Sequence, residues 1–485
     1  MINKFKSSLI IGTLATLLSA CNLDSTNNPE IPDTTSTSYT STLPGDAYVG
    51  DAFNIQGAEI KYEKVLDSYL FTIEVLDDAA SIAPVPVGQV DGAPVLGYVF
   101  ITDLAPTDIG YSDVEGTVAL AITSHPDFDD TPLWDEDNNE LYDDDGVVYH
   151  SHWVVLEENE LAGEGLAVVQ ADENDVLTPT SPMPMYLDSP GFNILEKDNK
   201  LHVIVPANSV KRRTDFTANV LTAYLEVDAT GTAPLLKVER IYSQMASPLY
   251  VMQSDLVAQQ NWPVASVNSE DDSLNLVDTT VDYVAEIDSL IFTMKTLGYA
   301  ATKTVNAIGQ VDGAPVLGYV FPTTISPKNV GFKNIMGATL ALAVTTHPDF
   351  DDTPLWDENG NSDYQDDGLV YHTHWVALVD DENSAAGLSV PSSFNTADLP
   401  PTAPMQMYLD SPNFHAYAQG NILRVIVPVQ RVNGVTSFNF DGITAGMNVD
   451  LSGEWPVLRV NEVHDVLSGN LSLPYIVTEK QLTDY

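Results

Sequence analysis

Three strings in this chain are written twice. GQVDGAPVLGYVF occupies 88–100 and recurs at 309–321, HPDFDDTPLWDE occupies 125–136 and recurs at 347–358, and MYLDSP occupies 185–190 and recurs at 407–412. The offset is 221 or 222 throughout. A stacked solenoid repeats about every 20 to 50 residues, so a single long offset held from the first string to the last means two copies of a whole domain. The 485 residues suffice for two such bodies, and the copies are expected at 47–262 and 263–485.

Within a copy the apolar pattern is short and two-periodic. YLFTIEVL, APVLGYVFI, GTVALAITS, GVVYHSHWVVL, KLHVIVPA, ANVLTAYLEVD and APLLKVERIY each lie between clusters of Gly, Pro, Asn or Asp, which is how strands and their turns read. No segment carries a long 3.6-period stripe capped at both ends. The expected fold class is all-β, two tandem homologous β-sandwich domains, with a closed barrel as the alternative.

Composition sets limits on partners. Apolar residues make up 44% and charged residues 18%, a globular balance. Acidic side chains number 69 against 19 basic ones, a formal charge of −50 that repels nucleic acid and favours cations or cationic surfaces.

The N-terminus explains the one cysteine. Lys4 and Lys6 precede an apolar run from Leu9 to Leu18, too short to span a bilayer as a mature helix, and small residues lead into Cys21. Leu18-Ser19-Ala20-Cys21 resembles the lipobox of bacterial lipoproteins. That resemblance implies a signal peptide at 1–20, a lipid on Cys21 and, with Asn22 next, an outer-membrane destination facing the periplasm or the cell surface. Residues 21–46, rich in Ser, Thr, Asn and Pro, are expected to be a flexible tether. With the cysteine so used, any metal must be held by nitrogen and oxygen.

Four of the nine histidines sit in VVYHSHWVVL (147–156) and LVYHTHWVAL (369–378). On a strand, His150 and His152 share one face while Tyr149, Ser151 and Trp153 share the other. Two imidazoles at i and i+2 can turn toward one ion, and His125, at the end of GTVALAITSH, is the expected third ligand. His347, His372 and His374 repeat the set. Three neutral imidazoles with an open fourth position suit zinc or copper. Asp127, Asp129 and Asp130 are expected to orient the rings. Trp153 and Trp375 are read as core anchors; the His-x-His-Trp string is similar in composition to the His and oxidised-Trp set of copper-binding surface proteins of methane-oxidising bacteria, but strand alternation turns the Trp away from the histidines.

Oxygen side chains recur between the histidines at Asp135, Asp137, Asn139 and Asp143, and again at Asp357, Asn359, Asn361 and Asp363. Such alternation wraps oxygens around calcium, although the sixth-position Gly and twelfth-position Glu of an EF-hand are absent. Met183, Met185, Met405 and Met407 could offer thioethers to copper but suit gap filling better. There is no G-x-S-x-G, H-E-x-x-H or phosphate-binding loop. The sequence therefore reads as a lipid-anchored exported protein whose duplicated domain binds zinc or copper beside a calcium-binding acidic loop, for sequestration or surface attachment. The alternatives are a zinc-dependent hydrolase, with a nearby Asp as base, and a calcium-stabilised adhesion or carbohydrate-binding module.

Overall fold

The computed structural model describes residues 43–85, 87, 89–126, 147–172, 175, 177–231, 233–253, 271–306, 308, 310–348 and 369–485. The segments expected to carry the signal and the oxygen-rich loops, and the expected tether up to residue 42, with Cys21, Asp135, Asp137, Asn139, Asp143, Asp357, Asn359, Asn361 and Asp363, lie outside the described residues, as do Asp127, Asp129 and Asp130; the last tether positions are held to the first half, Gly45 O accepting from Tyr242 and Asp46 pairing with Arg240. Residues Pro44–Tyr485 form one compact unit.

Among the described residues every element is a strand or a short 3-10 turn. Strands β1 to β5 are Ile55–Glu63, Ser68–Val75, Pro94–Thr102, Thr117–Ser124 and His150–Glu158. Strands β6 to β9 are Leu166–Val168, Leu187–Asp188, Asn193–Lys197 and Lys200–Pro206, followed by β10 to β12 at Thr217–Asp228, Leu235–Gln244 and Leu249–Gln253. In the second half β13 to β17 are Leu276–Val284, Ser289–Thr296, Pro315–Pro322, Thr339–Thr346 and His372–Asp380. Strands β18 to β21 are Leu388–Val390, Leu409–Asp410, His415–Gln419 and Ile422–Pro428. The last five, β22 to β26, are Asn439–Phe440, Ile443–Asp450, Val457–Val466, Tyr475–Ile476 and Thr478–Lys480.

The all-β expectation holds, but the sheets differ from two flat layers. Pairing runs β3-β4-β5-β6-β11-β10 and returns to β3, so these six strands close into a ring. In the second half β15-β16-β17-β18-β24-β23 closes the same way. Closure removes the exposed edges that an open sheet must protect, and it needs sharp bending, which register shifts in β10–β11 and β23–β24 supply. Gly318 serves the same end, since a Cβ there would come within 2.9 Å of Thr345 Cγ2 on the neighbouring strand. A second layer, β8-β9-β2-β1-β12 in the first half and β20-β21-β14-β13-β26 in the second, packs on the outside of its ring. Alternation then divides the side chains of each ring strand. Leu120, Ile122, Trp153 and Val155 face the outer layer and pack with Phe71 and Val203, while Ala119, Ala121, Val154 and Leu156 point into the ring.

The halves meet through matching positions. Leu66 and Ile204 from one and Ile287 and Ile426 from the other lie in one apolar cluster, and the alignment of the copies pairs Leu66 with Ile287 and Ile204 with Ile426. Asn193 donates from Nδ2 toward Ile287 O at 3.4 Å, and its counterpart His415 sits 3.9 Å from Asp67 Oδ2. The same patch meeting its own copy is the pattern of an isologous contact.

Candidate metal centre

Antiparallel pairing of β4 with β5 sets Thr123 opposite His150 and Ala121 opposite His152. His152 therefore points into the ring, and His125, just past the end of β4, arrives beside both. Ser124 Oγ donates to Val147 O at 2.5 Å and so ties the end of β4 to the approach to β5; Thr346 Oγ1 does the same to Leu369 O at 2.6 Å. Pro126 and Pro348 stop the strands at this point, so the third imidazole is fixed where the chain leaves the sheet.

The three rings form one cluster. Ring centroids lie 4.5 Å apart for His125 and His150, 4.6 Å for His150 and His152, and 5.6 Å for His125 and His152. In the second half the same three separations are 4.5, 4.6 and 5.5 Å. The ligand atoms of each trio all lie within 4.8 Å of one another, so each group could hold a metal ion. His125 and His152 are 2% exposed, His347 2% and His374 1%, whereas His150 is half-buried.

Oxygen partners on the far side hold each ring. His125 Nδ1 lies 3.0 Å from Pro126 O, and His150 Nδ1 lies 3.0 Å from Val148 O. A carbonyl only accepts, so each Nδ1 carries the proton and each Nε2 presents a lone pair. His152 Nδ1 lies 3.1 Å from Ser189 Oγ, a hydroxyl that can donate or accept, and the ring also meets the backbone of Asp188. His347, His372 and His374 repeat this with Pro348 O, Val370 O and Ser411 Oγ, each at 3.0 Å. Nδ1 anchored to an oxygen with Nε2 turned inward is how protein imidazoles are oriented toward a metal.

The consequence is a close contact between two inward-facing ring nitrogens. His125 Nε2 and His152 Nε2 are 3.4 Å apart, and His347 Nε2 and His374 Nε2 are 3.3 Å apart. His125 and His347, with Nδ1 protonated, offer Nε2 as an acceptor, which either an N–H of the facing ring or an ion held by both nitrogens can satisfy. A proton could bridge them, but burial first and the neighbouring imidazoles second push the pKa of His152 and of His374 far below the usual histidine value. Burial likewise lowers His372 to about 3. Two nitrogens held about 2.0–2.1 Å from a tetrahedral ion would stand about 3.3 Å apart, which is the separation found.

One part of the centre was missed in the sequence. The repeated MYLDSP string is the strand β7, or β19, that borders the His-x-His strand on its other side, pairing Asp188 with Trp153 and Asp410 with Trp375. Its serine and the Asp backbone hold the innermost imidazole. The Asp188 carboxylate is buried and accepts from Thr178 Oγ1 at 2.5 Å and from Thr180 Oγ1; Asp410 accepts from Thr402 Oγ1 at 2.6 Å. Recurrence of the string was visible, but its neighbour in space was not.

Trp153 and Trp375, each 1% exposed, lie in the core between ring and outer layer, on the face away from the imidazoles. Met183 and Met185 line the inside of the ring, as do Met405 and Met407 in the second half. Of the other histidines, His202 contacts Thr72 Oγ1 at 2.9 Å, His415 lies where the halves meet, and His464 Nδ1 is 3.4 Å from Glu462. The cavity beside the imidazoles has no carboxylate among its described lining residues.

No protein-family model matches the chain, and no curated protein matches it. One matching solved structure is described as "Ca2+-stabilized adhesin helps an Antarctic bacterium reach out and bind ice"; it is 10% identical over 83% of this chain and 94% of that one. Its TM-score is 0.07, which carries no argument about fold or function.

Proposed function

We propose that the chain binds two transition-metal ions, zinc or copper, one through His125, His150 and His152 and one through His347, His372 and His374. The observation that carries this is the convergence of three imidazoles in each half, with ligand atoms all within 4.8 Å of one another and facing Nε2 atoms 3.4 and 3.3 Å apart. An ion bound by the three nitrogens would leave a fourth position open. Matching strand order in the two rings supports reading the chain as two tandem homologous β-sandwich domains, 47–262 and 263–485, in which one layer is closed. The lipobox-like Leu18-Ser19-Ala20-Cys21 supports an exported, lipid-anchored protein of the cell envelope, with the outer membrane as its destination. A charge of −50 would gather cations around such a protein, which suits metal binding and sequestration at the surface. The acidic segments between the histidines are proposed to take calcium as well.

The test is metal analysis of the full chain purified without an affinity tag. Two equivalents of zinc or copper are expected, falling to one in the His150→Ala, His152→Ala double variant. A folded wild-type chain that takes up neither metal when offered both overturns the reading.

A further inference from the structure

Each ring encloses space that its side chains do not fill. In the first half the cavity is about 40 Å³, with Val99, Ala121, Val154 and Leu225 among its walls and His125 and His152 at one end. The second ring holds a cavity of about 40 Å³ as well, with His347 and His374 in the same place. Apart from these imidazoles, the polar side chain in each described lining is a single threonine, Thr123 or Thr345. A buried water needs two to four polar partners, so one can be seated only at the imidazole and threonine end, while the aliphatic remainder of each wall offers none and suits a nonpolar guest.

The space also survives substitution. Leu221 is replaced by Ile443 and Leu225 by Met447, yet both cavities keep the same volume and Ala121 and Ala343 stay small. Protein interiors ordinarily close such voids, because their walls forgo contacts, and a single larger side chain at either alanine would do it. We infer that each ring is a binding cavity for one small nonpolar molecule of the size of a diatomic gas, held against the imidazole end. Binding itself requires no ion. The adjacency of guest and metal rests on the proposed function, since His125 and His152 both line the cavity and belong to the metal trio.

Xenon is the probe. The metal-free full chain under xenon pressure, followed by xenon-129 NMR and by crystallography, should take up two atoms, one in each ring. Ala121→Leu should leave one, Ala343→Leu the other, and the double variant none. Should the leucine variants fail to fold, Val99→Ile adds one carbon to the same wall and should weaken xenon in the first ring about tenfold. A wild-type chain with no xenon inside the rings, or a folded filling variant with undiminished xenon, overturns the inference. With copper(II) loaded and counted, relaxation of the bound xenon should speed up at least tenfold relative to the zinc-loaded chain. Bound copper without that effect overturns the adjacency, whereas two bound xenons in a chain that takes up no metal uphold the cavity and overturn the metal reading alone.

Discussion

The two halves agree inside their rings and part company outside them. The imidazole centroid separations match to within 0.1 Å, and every Nδ1 anchor in one half has its counterpart in the other. In the outer layers, by contrast, Lys61 of β1 pairs with Glu63 on its own strand, while its counterpart Asp282 is buried and accepts from Thr478, Lys480 and Tyr485, tying down the C-terminus. Arg424, which stacks near Tyr485, stands where the first half has His202. Asn193 faces His415 across the correspondence of the copies, an amide against a titratable ring. An outer layer can exchange one polar solution for another because several arrangements satisfy the same burial. Three nitrogens around one point have no such freedom, since displacements of about 0.5 Å already spoil a site.

That contrast can be broken or sharpened by experiment. The largest effect is expected from His150→Ala with His152→Ala: the first half should lose its ion, worth of order 10 kcal/mol of binding, while the second keeps its own, as metal counting would report. Loss of both ions would show that the halves are coupled rather than parallel. Next, Trp153→Ala and Trp375→Ala should each cost about 3–5 kcal/mol in denaturant unfolding and agree within about 1 kcal/mol if the two cores are equivalent.

The outer layers should then differ with pH. Burial lowers His415 to about 4, so between pH 6.5 and 4 the unfolded chain binds a proton that the folded chain refuses. Stability should fall as pH drops through that window, by up to about 3 kcal/mol, and His415→Phe should flatten the slope while Asn193→Ala leaves it alone. An unchanged slope in His415→Phe would assign the pH response elsewhere.

Smaller effects probe the MYLDSP strands. Ser189→Ala and Ser411→Ala should weaken metal affinity about tenfold each, because the backbone of Asp188 or Asp410 still holds the ring. Smallest of all, Thr178→Ala should cost about 1 kcal/mol or less, since Thr180 also donates to Asp188; Thr402→Ala, at the place of Thr180, should cost more, because Pro400 stands where the first half has the hydroxyl of Thr178. Equal losses would mean that the second hydroxyl contributes nothing.

Much of the centre was legible in the sequence. Period-two spacing put His150 and His152 on one face and Trp153 on the other, which the core position of Trp153 matches. Pro126 after His125 marked where a strand ends, and the repeat singled out His125 over the histidines that lack a counterpart. The closed ring was not legible, because closure depends on β10 meeting β11 as well as β3, and local pattern does not count a strand's neighbours. β1 was missed as well: IQGAEIKYE alternates weakly, since it is stabilised by β2 and by a parallel pairing with β12 far along the chain.

By itself the sequence determined what depends on short range: strand rather than helix, two copies, which side chains share a face, and three histidines per copy as the set to test. The tertiary structure alone decided what depends on residues far apart in the chain. Ser189 reaches His152 across 37 positions, and a strand holding Ala223 closes a ring begun more than a hundred residues earlier. Hydrogen bonding along the backbone is set by immediate neighbours, whereas a ligand cluster and an enclosed space exist only where distant segments are brought together and held.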